Sequence, residues 1–234
     1  MNIIILEKLK ILKNGKGKQY DNNGFLLYEG DFVNDHFEGI GKYNYPLGFY
    51  YIGEWKNGFR NGRGKYYNIK GEIRYDGDWL NDKFEGFGRN IYDDGNYYIG
   101  QFKNGKKHGK GQMFNKDGKI KYNGEWANDL PESYGSLSGE DGGIYVGEMK
   151  KGYQDGKGKV YYKGRLLYEG EFVKGYFEGM GKVIYDNGNY YIGNWKKGKR
   201  NGKGKLYNKN GELKYEGDFV DDHFEGKGKL FYED

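Results

Sequence analysis

The sequence predicts an all-β chain, an elongated single-layer twisted antiparallel meander of about nine β-hairpins. Three observations carry that prediction. A Tyr-x-Gly-x-aromatic motif begins at Tyr28, Tyr51, Tyr75, Tyr98, Tyr122, Tyr145, Tyr168, Tyr191 and Tyr215, in steps of 23 or 24 residues. A Gly-x-Gly opens nine residues beyond the motif glycine, at Gly39, Gly62, Gly86, Gly109, Gly156, Gly179, Gly202 and Gly226. Finally, apolar residues make up only 35% of the 234 residues, while 26 Tyr and 44 Gly are present, too few aliphatic side chains for a thick two-layer core. Disordered chains are poor in aromatics, and these recur at fixed intervals, so the bias reads as a repeat.

Each element follows from period-two logic, because residues i and i+2 share a strand face. In YEGDF, Tyr28, Gly30 and Phe32 fall on one side, with Glu29 and Asp31 on the other. In the returning GIGKYNY, Gly39, Gly41, Tyr43 and Tyr45 share the glycine side and Lys42 lies opposite. Segments such as NDHFE and KNGFRN read as the loop between the two strands. Turn signals such as YPLG, NIKG, DDG and DNG join one hairpin to the next. Glycine weakens a strand interior, but a ring laid across the bare backbone compensates, so the glycines read as seats for the Tyr, Phe and Trp rings. With strands about 4.8 Å apart, nine hairpins imply a ribbon about 85 to 90 Å long. The fifth copy carries Ser133 where the first glycine belongs and the sixth has Met149 in the aromatic place, which makes residues 127–149 the most degenerate part of an array spanning 13–234.

A second period runs inside the first. The turn glycine precedes the motif Tyr by four and three residues alternately, and the residue after that Tyr alternates with it: Glu29, Ile52, Asp76, Ile99, Asn123, Val146, Glu169, Ile192, Glu216. Acidic or mixed loops (NDHFEG, NDKFEG, DDHFEG) alternate with basic ones (KNGFRNGRGK, KNGKKHGKG, KKGKRNGKGK). The full unit is therefore a pair of hairpins of about 47 residues.

These motifs resemble the MORN repeat family, whose pattern is similar to Y-x-G-x-W, a polar loop, G-x-G and a D-G turn. YYIGEWKNGFRNGRGKYYN (Tyr50 to Asn68) and YYIGNWKKGKRNGKGKLYN (Tyr190 to Asn208) are near-complete examples, and the resemblance covers roughly residues 13 to 234. It implies an elongated twisted sheet and roles in joining membranes, cytoskeleton and ciliary assemblies. It places the chain in the cytoplasm, at the cytoskeleton or the cilium and its axoneme.

The composition sets limits on function. Without cysteine there are no disulfides or thiolate metal sites. His36 and His223 are copies of one repeat position, so with His108 they do not converge on a metal. The carboxylates repeat where a catalytic acid and base would need one unique site, so the chain reads as non-enzymatic and free of cofactors. No phosphate-binding G-x-x-x-x-G-K-[ST] occurs, and NKDG (Asn115 to Gly118) lacks the acidic ligands of a calcium loop. Neither a signal peptide nor an apolar stretch of about 20 residues is expected.

Partner proteins of a large assembly are the expected ligands. The candidate groove aromatics are Tyr28, Phe32, Tyr51, Trp55, Tyr75, Trp79, Tyr98, Phe102, Tyr122, Trp126, Tyr191, Trp195, Tyr215 and Phe219. The candidate anion-gripping loops hold Lys56, Arg60, Arg63, Lys103, Lys106, Lys107, Lys110, Lys196, Lys197, Lys199, Arg200, Lys203 and Lys205. Dense basic loops also read as binders of anionic phospholipid such as phosphoinositides, against a simpler reading in which acidic and basic loops neutralise one another. Lys18, Lys42, Lys65, Arg89, Lys159, Lys182, Lys205 and Lys229 share a face with carboxylates, so cross-strand ion pairs account for them better than nucleic acid does. A net charge of +5 is small for a phosphate tracker. Open sheet ends favour self-association, and residues 1–12, with Ile3, Ile4, Leu6, Leu9, Ile11 and Leu12, read either as a cap over one end or as a docking segment.

Overall fold

The computed structural model describes residues 12–232. The capping or docking segment predicted at 1–12 therefore lies outside the described residues except for Leu12. The chain is all-β, with nineteen strands and no helix among the described residues. It divides into two compact units, Met1–Lys106 and Lys107–Asp234. The first holds β1 (Gly15–Tyr20), β2 (Leu26–Val33), β3 (His36–Asn44), β4 (Tyr50–Lys56), β5 (Phe59–Tyr67), β6 (Ile73–Leu80), β7 (Lys83–Ile91) and β8 (Tyr97–Lys103). The second begins within β9 (Lys106–Phe114). It continues through β10 (Ile120–Ala127), β11 (Leu130–Ser138), β12 (Gly143–Lys150), β13 (Tyr153–Tyr162), β14 (Arg165–Val173), β15 (Tyr176–Ile184), β16 (Tyr190–Lys196), β17 (Lys199–Tyr207), β18 (Leu213–Val220) and β19 (His223–Leu230). Within each unit the strands pair antiparallel with their sequence neighbours, which is the predicted meander.

The loops read from the sequence are much shorter than expected. NDHFE collapses to a two-residue turn, Asn34-Asp35, and KNGFRN to Asn57-Gly58, because both central residues take positive φ (49° and 68°; 50° and 83°). That is the primed hairpin turn whose twist matches the strands it joins. The remaining letters of each loop are strand residues. Each tip also leans on the hairpin before it: the Gly58 amide donates to the Phe37 carbonyl at 2.9 Å, and the Asp82 amide to that of Arg60 at 3.1 Å.

The two-hairpin period has a structural cause. Where the turn glycine stands four residues before the motif Tyr, the extra residue bulges: Tyr66 opposes Tyr75 while Tyr67 opposes Ile73, leaving Arg74 without an opposite. Where it stands three before, as in β3–β4 and β15–β16, the register runs unbroken.

The core is the ring face. Tyr28, Tyr51, Tyr75, Tyr98, Tyr168 and Tyr191 are fully buried. Tyr28, Tyr51, Tyr75, Tyr168 and Tyr191 each fold back over the glycine two residues on in their own strand and the glycine opposite. A Cβ on Gly41 would lie 2.2 Å from the Tyr28 hydroxyl, and one on Gly64 2.1 Å from that of Tyr51. The prediction that both glycines of Gly-x-Gly seat rings needs correction. Gly39 is exposed at φ +60°, and a Cβ there would face the Asp31 carboxylate, not a ring. Only the second glycine is a seat. The first belongs to a bulge in which Gly39 and Ile40 have no opposite on β2, since Asp31 pairs with Glu38 and Gly30 with Gly41.

Beside that bulge the motif tyrosine donates to a strand carbonyl. Tyr28, Tyr51, Tyr75 and Tyr168 donate their hydroxyls to the carbonyls of Asp31, Glu54, Asp78 and Glu171 at 2.8 to 3.1 Å. One side chain thus fills the core, covers two glycines and bonds a part-buried acceptor. Burial raises the pKa of every one of these phenols.

Candidate functional site

The fourteen candidate groove aromatics are all buried, so they form the core and do not line an open groove. They pack on one another edge to face, as Tyr28 does on Phe32 (centroids 5.2 Å apart) and on Trp55 (5.5 Å). The four indoles donate to glycine carbonyls one hairpin back, as Trp195 does to Gly181 at 3.2 Å. What closes this face against solvent alternates, and the sequence reading missed it. In one hairpin a phenylalanine two residues past the turn stacks flat on the tyrosine, with centroids 3.9 Å apart for Phe37 on Tyr28 and 3.7 Å for Phe177 on Tyr168. In the hairpins between, that place holds Arg60, Lys107, Gln154 and Arg200, and Pro131 interrupts the phenylalanine series.

The basic residues of the predicted gripping loops therefore fall in three separate kinds of location. Arg60 and Arg200 turn inward. Arg200 lies over the Tyr191 and Phe219 rings at 5.7 and 5.1 Å, and its Nε donates to Asp222 Oδ1 at 3.0 Å. Arg60 does the same over Tyr51 and Trp79, paired with Asp82 at 2.9 Å. Burial would raise the Asp222 carboxyl, but hydrogen bonds and charge from Arg200 outweigh it and hold the group below its ordinary value. Lys107 lies over Trp126, and burial lowers its pKa. These three were misplaced because a two-residue turn starts the return strand earlier than a loop would, which puts the second strand residue on the ring side.

A second set occupies the hairpin tips: Lys56, Lys103, Lys106, Lys196, Lys197 and Lys199 are exposed. Three consecutive tips in the second unit read Lys150-Lys151-Gly152-Tyr153, Val173-Lys174-Gly175-Tyr176 and Lys196-Lys197-Gly198-Lys199. Here Lys151, Lys174 and Lys197 hold the positive-φ position (49°, 48° and 49°) that Asn fills at Asn34, Asn57, Asn81, Asn104 and Asn128. Lysine is a poorer occupant of that region than Asn. Exposed Val173 and Tyr176 with Lys174, Lys196 and Lys197 border a cleft between the last two of these tips.

The third set faces outward. Arg63, Lys110 and Lys203 are the middle residues of Gly-x-Gly, the site of the bulge, and all three are exposed. The same position holds Ile40, Phe87, Tyr134 and Met180 in the alternate hairpins, 61%, 55%, 57% and 52% exposed. A carboxylate caps the bulge beneath several of them: Asp78 accepts from the Phe87 amide and Glu54 from that of Arg63, both at 2.9 Å. The repeated acidic position thus has a structural task. Beside these residues runs a row of ion pairs, Lys18–Glu29 (3.2 Å), Lys65–Asp76 (3.2 Å), Lys159–Glu169 (3.0 Å) and Lys205–Glu216 (3.0 Å). Lys42 and Lys182 lie over the rings of Tyr50 and Tyr190. The outer-face cations predicted to pair across strands do so at these positions, which leaves little for a nucleic-acid backbone.

The outward residues were legible in principle. Read in order, the middle position runs Ile40, Arg63, Phe87, Lys110, Tyr134, Lys157, Met180, Lys203, Lys227, an alternation of apolar and basic that keeps step with the two-hairpin period through Lys203 and breaks at Lys227. Among the described residues no cluster of three His, Asp or Glu is placed to hold a metal, and no helix is long and apolar enough to cross a membrane.

No curated protein matches the chain. Among solved structures, a mutant of the TCP10 domain of Danio rerio CPAP aligns with 91% of this chain and 100% of that chain, at 13% identity and a TM-score of 0.37. The MORN repeat profile matches residues 28–46, 51–72, 75–97, 98–119, 122–144, 145–164, 168–190, 191–212 and 215–234. MORN arrays are in general non-catalytic repeat scaffolds that engage proteins or lipids. Nine matches in register with the nine Tyr-x-Gly hairpins cover most of the sequence, and the chain belongs to the MORN repeat family.

Proposed function

We propose that this chain is a non-catalytic scaffold that holds partner proteins in a cytoskeletal or ciliary, axonemal, assembly. The observation that supports it is the division of labour between the faces. The ring face is consumed by its own packing, while the outer face presents side chains that alternate in chemistry with a fixed period. A repeating exposed surface suits a long partner gripped at many weak points, whose avidity grows by effective concentration. The cellular location rests on family resemblance alone. Lysine-directed cross-linking of the native protein, followed by peptide mapping, tests the reading. Cross-links from defined lysines of this chain to one recurring protein are expected. Recovery of the chain with only lipid attached would overturn it.

A second reading is favoured by the three lysine tips: a peripheral adaptor binding anionic phospholipids such as phosphoinositides. Lysines beside exposed Tyr153 and Tyr176 match the amphipathic chemistry of a headgroup layer. Sedimentation with phosphoinositide vesicles should fall when Lys151, Lys174 and Lys197 are changed together to Glu. Unchanged sedimentation sinks this reading.

A further inference from the structure

We propose that the free edge of β19 is the docking site for an extended segment of a partner protein reading aromatic-acid-Gly-acid-aromatic, which joins the sheet as a further antiparallel strand. The inference deepens the scaffold reading by naming the chemistry of one partner, and it rests on that reading for its cellular role.

A pentapeptide that occurs twice carries it. Residues 202–206 in β17 and 226–230 in β19 both read Gly-Lys-Gly-Lys-Leu. The first copy has its next strand in the structure. Leu206, Lys205, Gly204, Lys203 and Gly202 oppose Tyr215, Glu216, Gly217, Asp218 and Phe219, so Tyr-Glu-Gly-Asp-Phe is the strand this sequence receives. The second copy pairs with β18 on one side, and among the described residues no strand lies on the other. Every residue of β19 is exposed.

The outer face sets the charge of the missing strand. Wherever the middle of Gly-x-Gly is basic and a next strand lies beside it, that strand places a carboxylate opposite. Asp31 answers Lys16, Asp78 answers Arg63, Glu125 answers Lys110, Glu171 answers Lys157 and Asp218 answers Lys203. Apolar middles follow no such rule: Ile40 opposes Glu54, but Phe87 and Met180 oppose Gln101 and Asn194. Lys227 is basic where the alternation calls for an apolar residue, so it asks for an acid. Lys229, two residues on, matches Lys65, Lys159 and Lys205, which form ion pairs with the next strand at 3.0 to 3.2 Å. Opposite Lys229 on β18 stands Glu216, already held by Lys205 at 3.0 Å.

The ring face sets the aromatics. Phe37, Phe84 and Phe177, each two residues past its turn, are closed by the second aromatic of the following strand, Trp55, Phe102 and Trp195, at 5.2 to 5.6 Å. Phe224 has the same place. It packs on the rings of its own hairpin, Tyr215 at 4.0 Å and Phe219 at 5.4 Å, and stays 54% exposed. An aromatic opposite Gly226 would close it, and a tyrosine opposite Leu230 would cover a residue that is 51% exposed.

A second copy fits less well. Two β19 edges pairing antiparallel through Gly228 would set Lys227 against Lys229 twice, and like charges directly opposite destabilise a sheet. The outermost strand β1 also reads Gly-Lys-Gly-Lys, so a head-to-tail copy brings lysine to lysine as well. The acid-Gly-acid strands of this chain, β2, β6, β14 and β18, are each paired on both edges. The occupant is therefore a segment of another protein whose backbone is free until it docks, and strand addition supplies its hydrogen bonds.

The test uses the full chain and a labelled peptide of residues 213–220, Leu-Lys-Tyr-Glu-Gly-Asp-Phe-Val, with blocked ends. Fluorescence anisotropy should show saturable binding. Lys227→Glu together with Lys229→Glu should weaken it at least about tenfold and create binding of a peptide with Lys in place of both acids, with the thermal unfolding curve unmoved. A methyl scan of the peptide amides leaves the protein untouched and should abolish binding at alternate residues, since only alternate amides of an antiparallel strand face one neighbour. A photoreactive phenylalanine in the last aromatic place should label β19 beside Gly226. The proposal falls if binding does not saturate, if the charge exchange does not transfer, if the methyl scan shows no alternation, or if the label lands on another strand. It falls also if the chain alone self-associates in sedimentation and the two Lys→Glu changes abolish that. The two readings fail separately. Native protein cross-links with a peptide that does not bind would keep the scaffold and remove this edge site, whereas peptide binding at β19 without any native protein cross-link would keep the site and remove the cellular scaffold.

Discussion

The two faces of one sheet obey different rules. On the ring face the same residues return every hairpin: a buried tyrosine, two glycine seats and a second aromatic, with Met149 as the aliphatic stand-in, 3% exposed. On the outer face the residue between the glycines changes character at each step, from Ile40 to Arg63 to Phe87. The difference follows from tolerance. A ring pressed on bare backbone admits no variation, because any Cβ would enter it, whereas a side chain re-aimed into solvent by a bulge is bounded only by solubility. The face that cannot vary makes the fold, and the face that can changes from hairpin to hairpin.

The largest effect should come from filling a seat. A Cβ on Gly204 would lie 2.3 Å from the Tyr191 ring and 2.4 Å from its hydroxyl. Gly204→Ala must therefore push a fully buried tyrosine off its glycine and away from the Asn194 carbonyl it bonds at 3.0 Å. Overpacking of this kind costs about 3 kcal/mol. Urea unfolding followed by tyrosine and tryptophan fluorescence would measure it, and a loss under about 1 kcal/mol would mean that the ring has another place to go.

Alkali should act on the same face. Burial pushes Tyr28, Tyr122 and Tyr191 up to about 12 from the ordinary phenol value of 10.0. A raised folded value means that the folded chain holds its phenol protons more firmly than the unfolded chain. Stability is then complete below pH 10 and drains away as pH rises toward about 12. Unfolding seen by circular dichroism should coincide with the last part of the phenolate absorbance, the part contributed by the buried ring face. Complete phenolate formation while the fold persists would contradict the proposed seating.

Removing only the hydroxyl separates packing from hydrogen bonding. Tyr168→Phe keeps the ring stacked on Phe177 at 3.7 Å but strips the donor from the Glu171 carbonyl. A buried acceptor left unpaired predicts a loss of about 1 to 1.5 kcal/mol.

Much of this was legible from residues alone, for a definite reason. Tyr and Gly have such narrow steric roles that their spacing reports the strands, the faces and the paired hairpins directly. Turns were the weak point. KNGFRN looks like a loop because Lys, Asn and Arg are polar, yet Asn57-Gly58 suffices for the turn and Arg60 becomes a strand residue lying on Tyr51. Gly39 and Gly41 look alike in sequence, but only backbone register shows that one sits in a bulge and the other under a ring. The Ile40 series was missed because the middle of Gly-x-Gly reads as one more strand residue until the bulge gives it a direction.

The smallest effects lie where the two faces meet, and Ser133 is the sharpest case. It occupies the bulge place that glycine holds in the other copies and takes φ 60°, a region an L side chain enters at a cost of about 1 to 2 kcal/mol. The fifth hairpin nevertheless keeps the geometry: Tyr134 opposes Glu148 and Gly135 opposes Gly147, as Ile40 opposes Glu54 and Gly41 opposes Gly53. Degeneracy in sequence is thus carried as local strain and not as a break in the sheet. Ser133→Gly should relieve that strain. Part of the gain is returned through the greater freedom of glycine in the unfolded chain, so a net stabilisation of about 0.5 to 1 kcal/mol is expected. Thermal unfolding of the two proteins side by side would show it as a small rise in Tm, with Tyr134 still exposed and binding by the outer face unaltered. A fall in Tm would show that the serine side chain supports the bulge, and that the fifth hairpin follows a rule of its own.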